Sequence, residues 1–465
     1  MIKDKNILVF CCFFLLIFKT FSIYYTKFDL FGDEAQYWIW SKNLDFGYFS
    51  KPPLLPWVIY VYCLVFGNSV FAIKMISVSF YCLSSFVVYL ISNQLTINKK
   101  ISLYAAITFF LMPGVSVSSF LLSTDVLLIL FWSLSLLQLL KIRKRPDFWG
   151  FILLGTFLGL AFLAKYAAIY FFICTIFLLI FDKKMRGVFF SNKLSFFFCL
   201  FSFVLIIFPN VVWNTNNNWV TLHHTADNAS LGRTAINFKG GLEFFISQII
   251  MLGPLIFFYF IIRFKKIKIG ASSIFLLSFS MPIFFIVLIE AFLVRANANW
   301  AAVSLVSFLI FIVHHVYGIN KKFIVWNNYI SFSLGVFLFY LIATSANISA
   351  FSRINGISSF AKNLESLVSE KYEYIVVSDR MLFSNIKYIY RDKKIKLLTP
   401  ISPNSKIGHH FQISNPLPKD HKKDFLYVGF VDQIGYLSNK AVINIVGNNE
   451  VLFTNDPIKI YEVIF

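Results

Sequence analysis

Long apolar runs dominate this chain of 465 residues and leave it few ways to fold. Eleven of them approach the roughly 20 residues that a helix needs to cross a bilayer. Hydrophobic residues make up 58% of the chain, more than a soluble protein of this length can bury. The sequence therefore predicts a mostly α, polytopic membrane protein with about 11–13 transmembrane helices. The runs are Asn6–Tyr24, Val70–Ser92, Ile101–Val117, Asp125–Leu140, Phe148–Leu163, Ala167–Phe181, Leu194–Val212, Phe244–Ile262, Ser272–Leu293, Ala301–Tyr317 and Phe323–Ala346.

The distribution of charge predicts how the chain is oriented. Lys and Arg number 42 against 22 Asp and Glu, which in a soluble protein would point to nucleic acid. Here the basic residues form short clusters between apolar runs, which is how membrane topology is encoded, so we expect no nucleic-acid partner. The clusters, such as 99–100, 141–145, 183–186 and 263–268, fall on one side, which the positive-inside rule makes cytoplasmic together with the N-terminus.

The chain divides into a predicted membrane domain, residues 1–346, and a C-terminal domain, residues 347–465. The short apolar segment Leu54–Phe66 is interpreted as an interfacial or re-entrant helix. Two outer loops, 25–53 and 213–243, lie on the side opposite the basic clusters, and the first carries the candidate catalytic residues. The C-terminal domain is polar and predicts a small α/β fold with a helix at Asp379–Tyr390. Its predicted strands are Tyr374–Val377, Ile395–Leu398, Phe425–Phe430, Val442–Val446 and Ile458–Ile464.

Two adjacent carboxylates, Asp33 and Glu34, open an aromatic segment just after the first apolar run. Neighbouring side chains on a helix point in different directions, so the two carboxylates have different tasks. One of them is suited to act as a general base on an acceptor hydroxyl. The alternative is that they only cap a helix, where acidic residues are favoured by the dipole.

Three lysines and a third carboxylate are further candidates. Lys51 stands before Pro52 and Pro53 in a rigid setting and suits a donor phosphate, although lysine also anchors at membrane interfaces. Asp125 opens an apolar run, where it is either a pocket carboxylate or a helix cap. Lys74 and Lys165 interrupt apolar stretches, where an ammonium group is costly without a partner.

Polar and aromatic residues on the outer side are candidate contacts for a sugar or acceptor. Two adjacent histidines at positions 223 and 224 are weak evidence for a metal, because neighbouring side chains rarely converge on one ion. A divalent metal cofactor is therefore left open. The candidate contacts are Tyr37, Trp38, Tyr48, Trp213, Asn214, His223, Arg295, Asn299 and Trp300.

The segments from Gly32 to Trp38 and from Gly47 to Pro53 together resemble bacterial members of glycosyltransferase family 39 and its relatives. The resemblance extends across most of the membrane region through Thr124-Asp125, Lys165-Tyr166, Pro209–Trp219 and Asn299-Trp300. These relatives include protein mannosyltransferases, lipid A aminoarabinose transferases and lipopolysaccharide galacturonosyltransferases. The wording Asp-Glu-Ala-Gln-Tyr-Trp with Phe-Ser-Lys-Pro-Pro is most similar to the last group.

The resemblance implies a GT-C fold in the bacterial inner membrane, with the active site facing the periplasm and a polyprenyl-phosphate sugar donor. It implies that Asp33 is the catalytic carboxylate and Asp125 a second carboxylate of the pocket. Lys51 and Lys165 become contacts to donor phosphate. Lys74, which stands where the family is expected to have arginine, is a third candidate contact to that phosphate. The implied reaction is an inverting transfer of a sugar to lipid A or the lipopolysaccharide core.

Two other functions remain open from the sequence. One is protein O-mannosylation, in which the acceptor is a protein hydroxyl instead of a lipid. The other is a lipid or sugar transporter, although transporters place polar residues near the membrane midplane and this chain gathers them on one side. The sequence does not decide which sugar or which acceptor is used.

Overall fold

The computed structural model describes residues 2–229, 236–368, 372, 374–401, 407–418, 420–437, 441–447 and 458–465. Helices account for most of this described chain, and a small sheet lies near its C-terminal end, as the sequence predicts. The helices up to residue 216 are α1 (Ile2–Tyr25), α2 (Gly32–Ser41), α3 (Leu54–Phe66), α4 (Val70–Leu95), α5 (Lys99–Leu111), α6 (Pro113–Ser118), α7 (Thr124–Lys144), α8 (Phe148–Ala164), α9 (Tyr170–Phe181), α10 (Lys183–Ser191) and α11 (Lys193–Asn216).

The remaining helices include the last apolar ones and the short ones of the C-terminal region. They are α12 (Val220–Ala229), α13 (Phe238–Leu252), α14 (Pro254–Ile262), α15 (Ala271–Ser278), α16 (Met281–Leu293), α17 (Ala302–Asn320), α18 (Lys322–Ala343), α19 (Ile357–Leu367), α20 (Arg380–Ile389) and α21 (Phe411–Ser414). Part of the predicted outer loop 213–243, residues 230–235, falls outside the described residues.

Every one of the eleven apolar runs forms helix. In the described residues, seven helical spans are long and apolar enough to cross a membrane, or nine if two bent pairs each count as one. The bent pairs are α9 with α10, at 109°, and α13 with α14, at 102°. The two other runs form helices below that length. The run Phe148–Leu163 forms α8. The run Ile101–Val117 is divided at Pro113, which has no backbone N–H to continue α5 and instead occupies the first position of α6.

The chain forms two compact units. The helical unit comprises Met1–Ile23, Lys51–Leu55 and Lys74–Tyr340. The mixed unit comprises Tyr24–Ser50, Pro56–Ile73 and Leu341–Phe465, so most of the first outer loop packs with the C-terminal residues.

Close helix packing in the helical unit is clearest between α8 and α11. A Cβ added at Gly155 would lie 2.0 Å from the Cys199 carbonyl oxygen and 2.1 Å from Ser202 Oγ. One helical turn on, a Cβ at Gly159 would lie 2.8 Å from Ile206 Cβ. Small residues four apart allow two helix backbones to approach closely, which supplies packing energy where lipid gives no hydrophobic drive.

The mixed unit is built around a five-stranded sheet in the order β2-β1-β3-β5-β4. Strand β1 runs parallel to β2 and β3, whereas β5 is antiparallel to β3 and β4. All five predicted strands and the predicted helix, now α20, are present. Helix α20 packs on α2, where a Cβ on Gly32 would lie 2.4 Å from Met381 Cβ. The strands are β1 (Tyr374–Val377), β2 (Lys396–Leu398), β3 (Phe425–Gly429), β4 (Val442–Gly447) and β5 (Lys459–Ile464).

Candidate active site

The two adjacent carboxylates of α2 have different surroundings. Glu34 is buried, at 1% exposure, and its Oε2 accepts a hydrogen bond of 2.7 Å from the Phe31 backbone N–H. This contact satisfies one of the free N–H groups at the helix start. The helix-capping alternative therefore describes Glu34 well, and Asp33 is the carboxylate of the pair that remains partly exposed.

Asp33 forms an ion pair with Arg380 that was not predicted from the sequence. Its Oδ1 lies 2.7 Å from Nη1 of Arg380, the first residue of α20, and the two side chains are 36% and 30% exposed. The same Nη1 also donates to Gln36 Oε1, one turn after Asp33 on α2. Arg380 thus joins the C-terminal region to the helix that carries the predicted catalytic carboxylate.

Three of the aromatic residues predicted to contact a sugar, Tyr37, Trp38 and Tyr48, are buried in the mixed unit. Trp38 donates from Nε1 to Asn68 Oδ1 at 2.9 Å and packs edge-on against Tyr388, with ring centroids 4.9 Å apart. Tyr37 packs near Trp40, and Tyr48 is stacked on Trp40 with ring centroids 4.6 Å apart. These contacts give Tyr37, Trp38 and Tyr48 a packing role in this structure.

Sequence reasoning missed two adjacent histidines of the C-terminal region, His409 and His410, and the second lies beside this aromatic stack. The ring of His410 packs edge-on against Trp40, with centroids 5.3 Å apart. Burial, with a smaller contribution from Lys387, lowers the pKa of His410 to about 4. Burial, assisted by the positive charge of Arg380, lowers the pKa of His409 to about 4. Both imidazoles are therefore neutral near pH 7.

A second group of predicted residues converges in the helical unit. Asp125 lies in the first turn of α7 and is buried, at 4% exposure. Its Oδ1 pairs with Lys165 Nζ at 2.7 Å, and its Oδ2 accepts a hydrogen bond of 2.6 Å from Asn299 Nδ2. Lys165 comes from the end of α8 and Asn299 from the turn before α17. Three segments far apart in sequence thus meet at one carboxylate, and both of its oxygens are engaged.

The residues around this network hold its segments in place. Gln248 on α13 donates from Nε2 to the carbonyl of Ala298 at 2.8 Å, next to Asn299. Two fully buried lysines hold the segment that leads into α7. Lys19 Nζ donates to Ser119 Oγ at 3.3 Å, and Lys74 Nζ donates to the Phe120 carbonyl at 3.3 Å. Lys74, predicted to contact a donor phosphate, is at 0% exposure and lies over the Phe120 ring.

The remaining predicted residues are more scattered. Asn214 is buried and donates from Nδ2 to the hydroxyl of Tyr166 at 3.1 Å. Trp213, Trp300 and Lys51 are half-buried, whereas His223 and Arg295 are exposed. In the part of the chain that the structure describes, no group of three or more His, Cys, Asp or Glu side chains could hold a metal ion.

An apolar cavity of about 450 Å³ lies among α13 to α17. Its lining is rich in phenylalanine, and its polar members are Gln248, Ser280 and Ser304. Gln248 is also the residue that holds the Ala298 carbonyl. The cavity therefore reaches, through one side chain, the turn that carries Asn299.

Three comparisons bear on this arrangement. Residues 50–213 match a family model described as dolichyl-phosphate-mannose-protein mannosyltransferase. Over 297 residues the chain is 31% identical to the lipid A galacturonosyltransferase RgtD of Rhizobium johnstonii. That alignment covers 62% of this chain and 61% of the relative, so the chain spans about three fifths of that protein's length.

The fold resembles solved structures of ArnT from Cupriavidus metallidurans. The apo structure matches with a TM-score of 0.68 at 12% identity, and the structure bound to undecaprenyl phosphate matches with 0.69 at 13%. Both matches cover 98% of each chain. These findings confirm the predicted fold class and the resemblance that the motifs carry.

Proposed function

We propose that this chain is a membrane glycosyltransferase that moves a sugar from a polyprenyl-phosphate donor to lipid A or the lipopolysaccharide core. The observation that carries the proposal is the 31% identity with a lipid A galacturonosyltransferase. The ArnT structure bound to undecaprenyl phosphate supports the choice of carrier, because the present chain shares that fold along nearly its whole length. The expected site is the inner membrane, with the reaction at its periplasmic face.

In the proposed reaction Asp33 is the general base. It takes the proton of the acceptor hydroxyl as that oxygen attacks the anomeric carbon from the face opposite the phosphate, so the configuration inverts. Partial exposure suits this role, because a base must reach the acceptor. Glu34, whose carboxylate holds the start of α2, supports the helix and through it the position of Asp33.

The leaving group of this reaction is a lipid phosphate on which negative charge accumulates. Fixed positive charge at that point lowers the barrier, and Lys51, which is half-buried, is the proposed contact. Asp125, Lys165 and Asn299 form a closed network in which each charge is already satisfied. We assign that network the task of fixing the ends of three segments of the helical unit.

The apolar cavity among α13 to α17 suits the hydrocarbon portion of a lipid substrate. Its volume of about 450 Å³ and its phenylalanine-rich lining provide an environment in which acyl or isoprenoid groups are favoured over water. This feature supports a lipid substrate without distinguishing the donor from the acceptor.

Mass spectrometry of lipid A tests the proposal. Cells that carry the intact gene should contain lipid A with one more glycosyl group than cells that lack it. Asp33→Asn should remove this group while the protein accumulates normally, because loss of a general base costs about 10²–10⁴-fold in rate. Asp392→Asn is the matched control, since Asp392 also pairs with an arginine of this region but is 85% exposed. Unchanged lipid A in all strains would refute the proposal.

Protein O-mannosylation is the second candidate, favoured by the family model matched at residues 50–213. It predicts that lipid A is identical with and without the gene, and that a periplasmic protein loses a hexose instead. The same set of strains answers both questions when their periplasmic proteins are analysed by glycopeptide mass spectrometry.

A further inference from the structure

Arg380 uses only part of its guanidinium group in the contacts of the mixed unit. Nη1 serves both Asp33 and Gln36. Nε and Nη2 make no hydrogen bond or ion pair with any of the described residues. An arginine side chain carries five N–H donors in a planar fork. The edge of the guanidinium group formed by Nε and Nη2 can therefore donate to a further acceptor next to the carboxylate of Asp33.

Stability alone gives little reason for the pair between Arg380 and Asp33. Both side chains are about one third exposed, and ion pairs of that exposure contribute little to stability. Arg391, one residue beyond the C-cap of the same helix, provides a comparison. At 32% exposure it contacts Asp392, its sequence neighbour, at 3.5 Å and donates from Nη1 to the Tyr388 carbonyl at 3.0 Å. Arg391 thus shares the exposure of Arg380 but serves its own helix end.

Arg380 is a permanent positive charge, and the two histidines of this region add none. His409 and His410, whose pKa values burial lowers to about 4, carry no charge near neutral pH. Arginine stays protonated at any physiological pH. Asp33 pairs with this charge at 2.7 Å, so an incoming dianion would meet a cation that α2 and α20 already hold in place.

We propose that Arg380 is the residue with which the C-terminal region binds a phosphate group of a substrate beside Asp33. Nη1 keeps its hold on Asp33, while the Nε and Nη2 edge receives two phosphate oxygens, the bidentate geometry that guanidinium groups favour. The inference rests on the proposed function and adds to it a residue, a ligand chemistry and a role for the C-terminal region.

Two phosphates could occupy this position. One belongs to the carrier lipid: the acceptor oxygen bonds to the anomeric carbon, its proton passes to Asp33, and the carbon–oxygen bond to the phosphate breaks with its electron pair. The carrier phosphate then leaves as a dianion, which Arg380 would stabilise. The other belongs to a phosphorylated acceptor lipid, whose binding Arg380 would strengthen without changing the chemical step.

Binding measurements with catalysis switched off test the proposal directly. In the full-length protein carrying Asp33→Asn, affinities are measured for undecaprenyl phosphate and for lipid A with and without its phosphates. Adding Arg380→Gln should lower the affinity for one of the two phosphorylated ligands about 10-fold or more, as expected for the loss of a charge-assisted hydrogen bond. Loss for undecaprenyl phosphate identifies the carrier, and loss confined to phosphorylated lipid A identifies the acceptor. Adding Arg391→Gln instead should change either affinity less than about twofold.

Initial rates complete the test. Arg380→Gln should lower kcat with little change in the KM for lipid A if the carrier phosphate is bound, or raise that KM if the acceptor phosphate is bound. Arg380→Lys should retain part of the activity, because it keeps a charge but loses the fork. The proposal is overturned if both affinities are unchanged by Arg380→Gln in the Asp33→Asn background. The proposed function fails separately, if the unmodified protein transfers no sugar.

Discussion

Helix α7 carries two similar ion pairs, one at each end, and replacing Lys165 by methionine should show that only one serves the reaction. Lys165 Nζ lies 2.7 Å from Asp125, and Arg143 Nε lies 2.7 Å from Asp182. The exposed fractions are 17% and 6% for the first pair and 18% and 5% for the second. The helix has 21 residues and is therefore about 30 Å long, so the two pairs are well separated.

The cost of each substitution follows from this geometry. At 2.7 Å and an effective dielectric constant of about 20, the attraction is about 6 kcal/mol, part of which offsets the desolvation of both groups. Removing one partner leaves a buried charge, which costs about 3–5 kcal/mol. Asn299 still donates to Asp125 at 2.6 Å, so the loss of stability in Lys165→Met should lie near the lower end of this range. Arg143→Met should cost a similar amount, because the Met185 backbone N–H still donates to Asp182.

Unfolding of the purified protein in mixed detergent micelles measures the stability of both variants, and sugar transfer per folded molecule measures activity. Lys165→Met should lower activity at least about 10-fold, whereas Arg143→Met should retain the activity of the unmodified protein. Adding Asp125→Asn to Lys165→Met should restore part of the stability, because no unpaired charge then remains. Equal activity losses in both single variants, or strict additivity in the double variant, would refute this reasoning.

Two further predictions concern packing and pH. Gly155→Leu should destabilise the protein by about 1–3 kcal/mol or more, because the new Cβ would collide with the Cys199 carbonyl oxygen. Gly187 has open space around it, so Gly187→Leu should leave the stability unchanged in the same unfolding assay. Equal melting temperatures for the two variants would contradict this account. His409 and His410 have pKa values of about 4 in the folded protein and near 6.5 in the unfolded chain. Their contribution to the free energy of unfolding is therefore fully present above pH 6.5. It is lost as the pH falls toward 4, by up to roughly 3 kcal/mol for each histidine. Melting temperatures between pH 4.5 and 7.5 should show this slope and a smaller one in His410→Gln, and an unchanged slope would contradict it.

The helices and strands could be predicted because their signals are local. Each apolar run became helix, and each alternating stretch after residue 370 that was interpreted as a strand became one. The run Ile101–Val117 shows the limit of apolar length alone, because Pro113 divides it into two helices. A count of apolar residues takes no account of the backbone N–H that Pro113 lacks, although the proline itself can be seen in the sequence.

Side-chain partners at the candidate site were less predictable. The meeting of Asp125, Lys165 and Asn299 was foreseeable only in outline, since all three were expected on the same side of the membrane. Arg380 gave no signal, because it lies 347 residues from Asp33 in a region whose pattern indicated only a helix. Lys74 stays a predicted phosphate contact, and hydropathy gave no sign that its ammonium group also donates to the buried Phe120 carbonyl.

The composition of the mixed unit has a consequence for biosynthesis. Helix α2 leaves the ribosome among the first residues, while Arg380 follows only when 380 of 465 residues have been made. A nascent chain or a prematurely terminated product would carry Asp33 with no guanidinium to restrain it. Synthesis of the final fifth of the polypeptide thus supplies the ion-pair partner of Asp33, which a shorter product would lack.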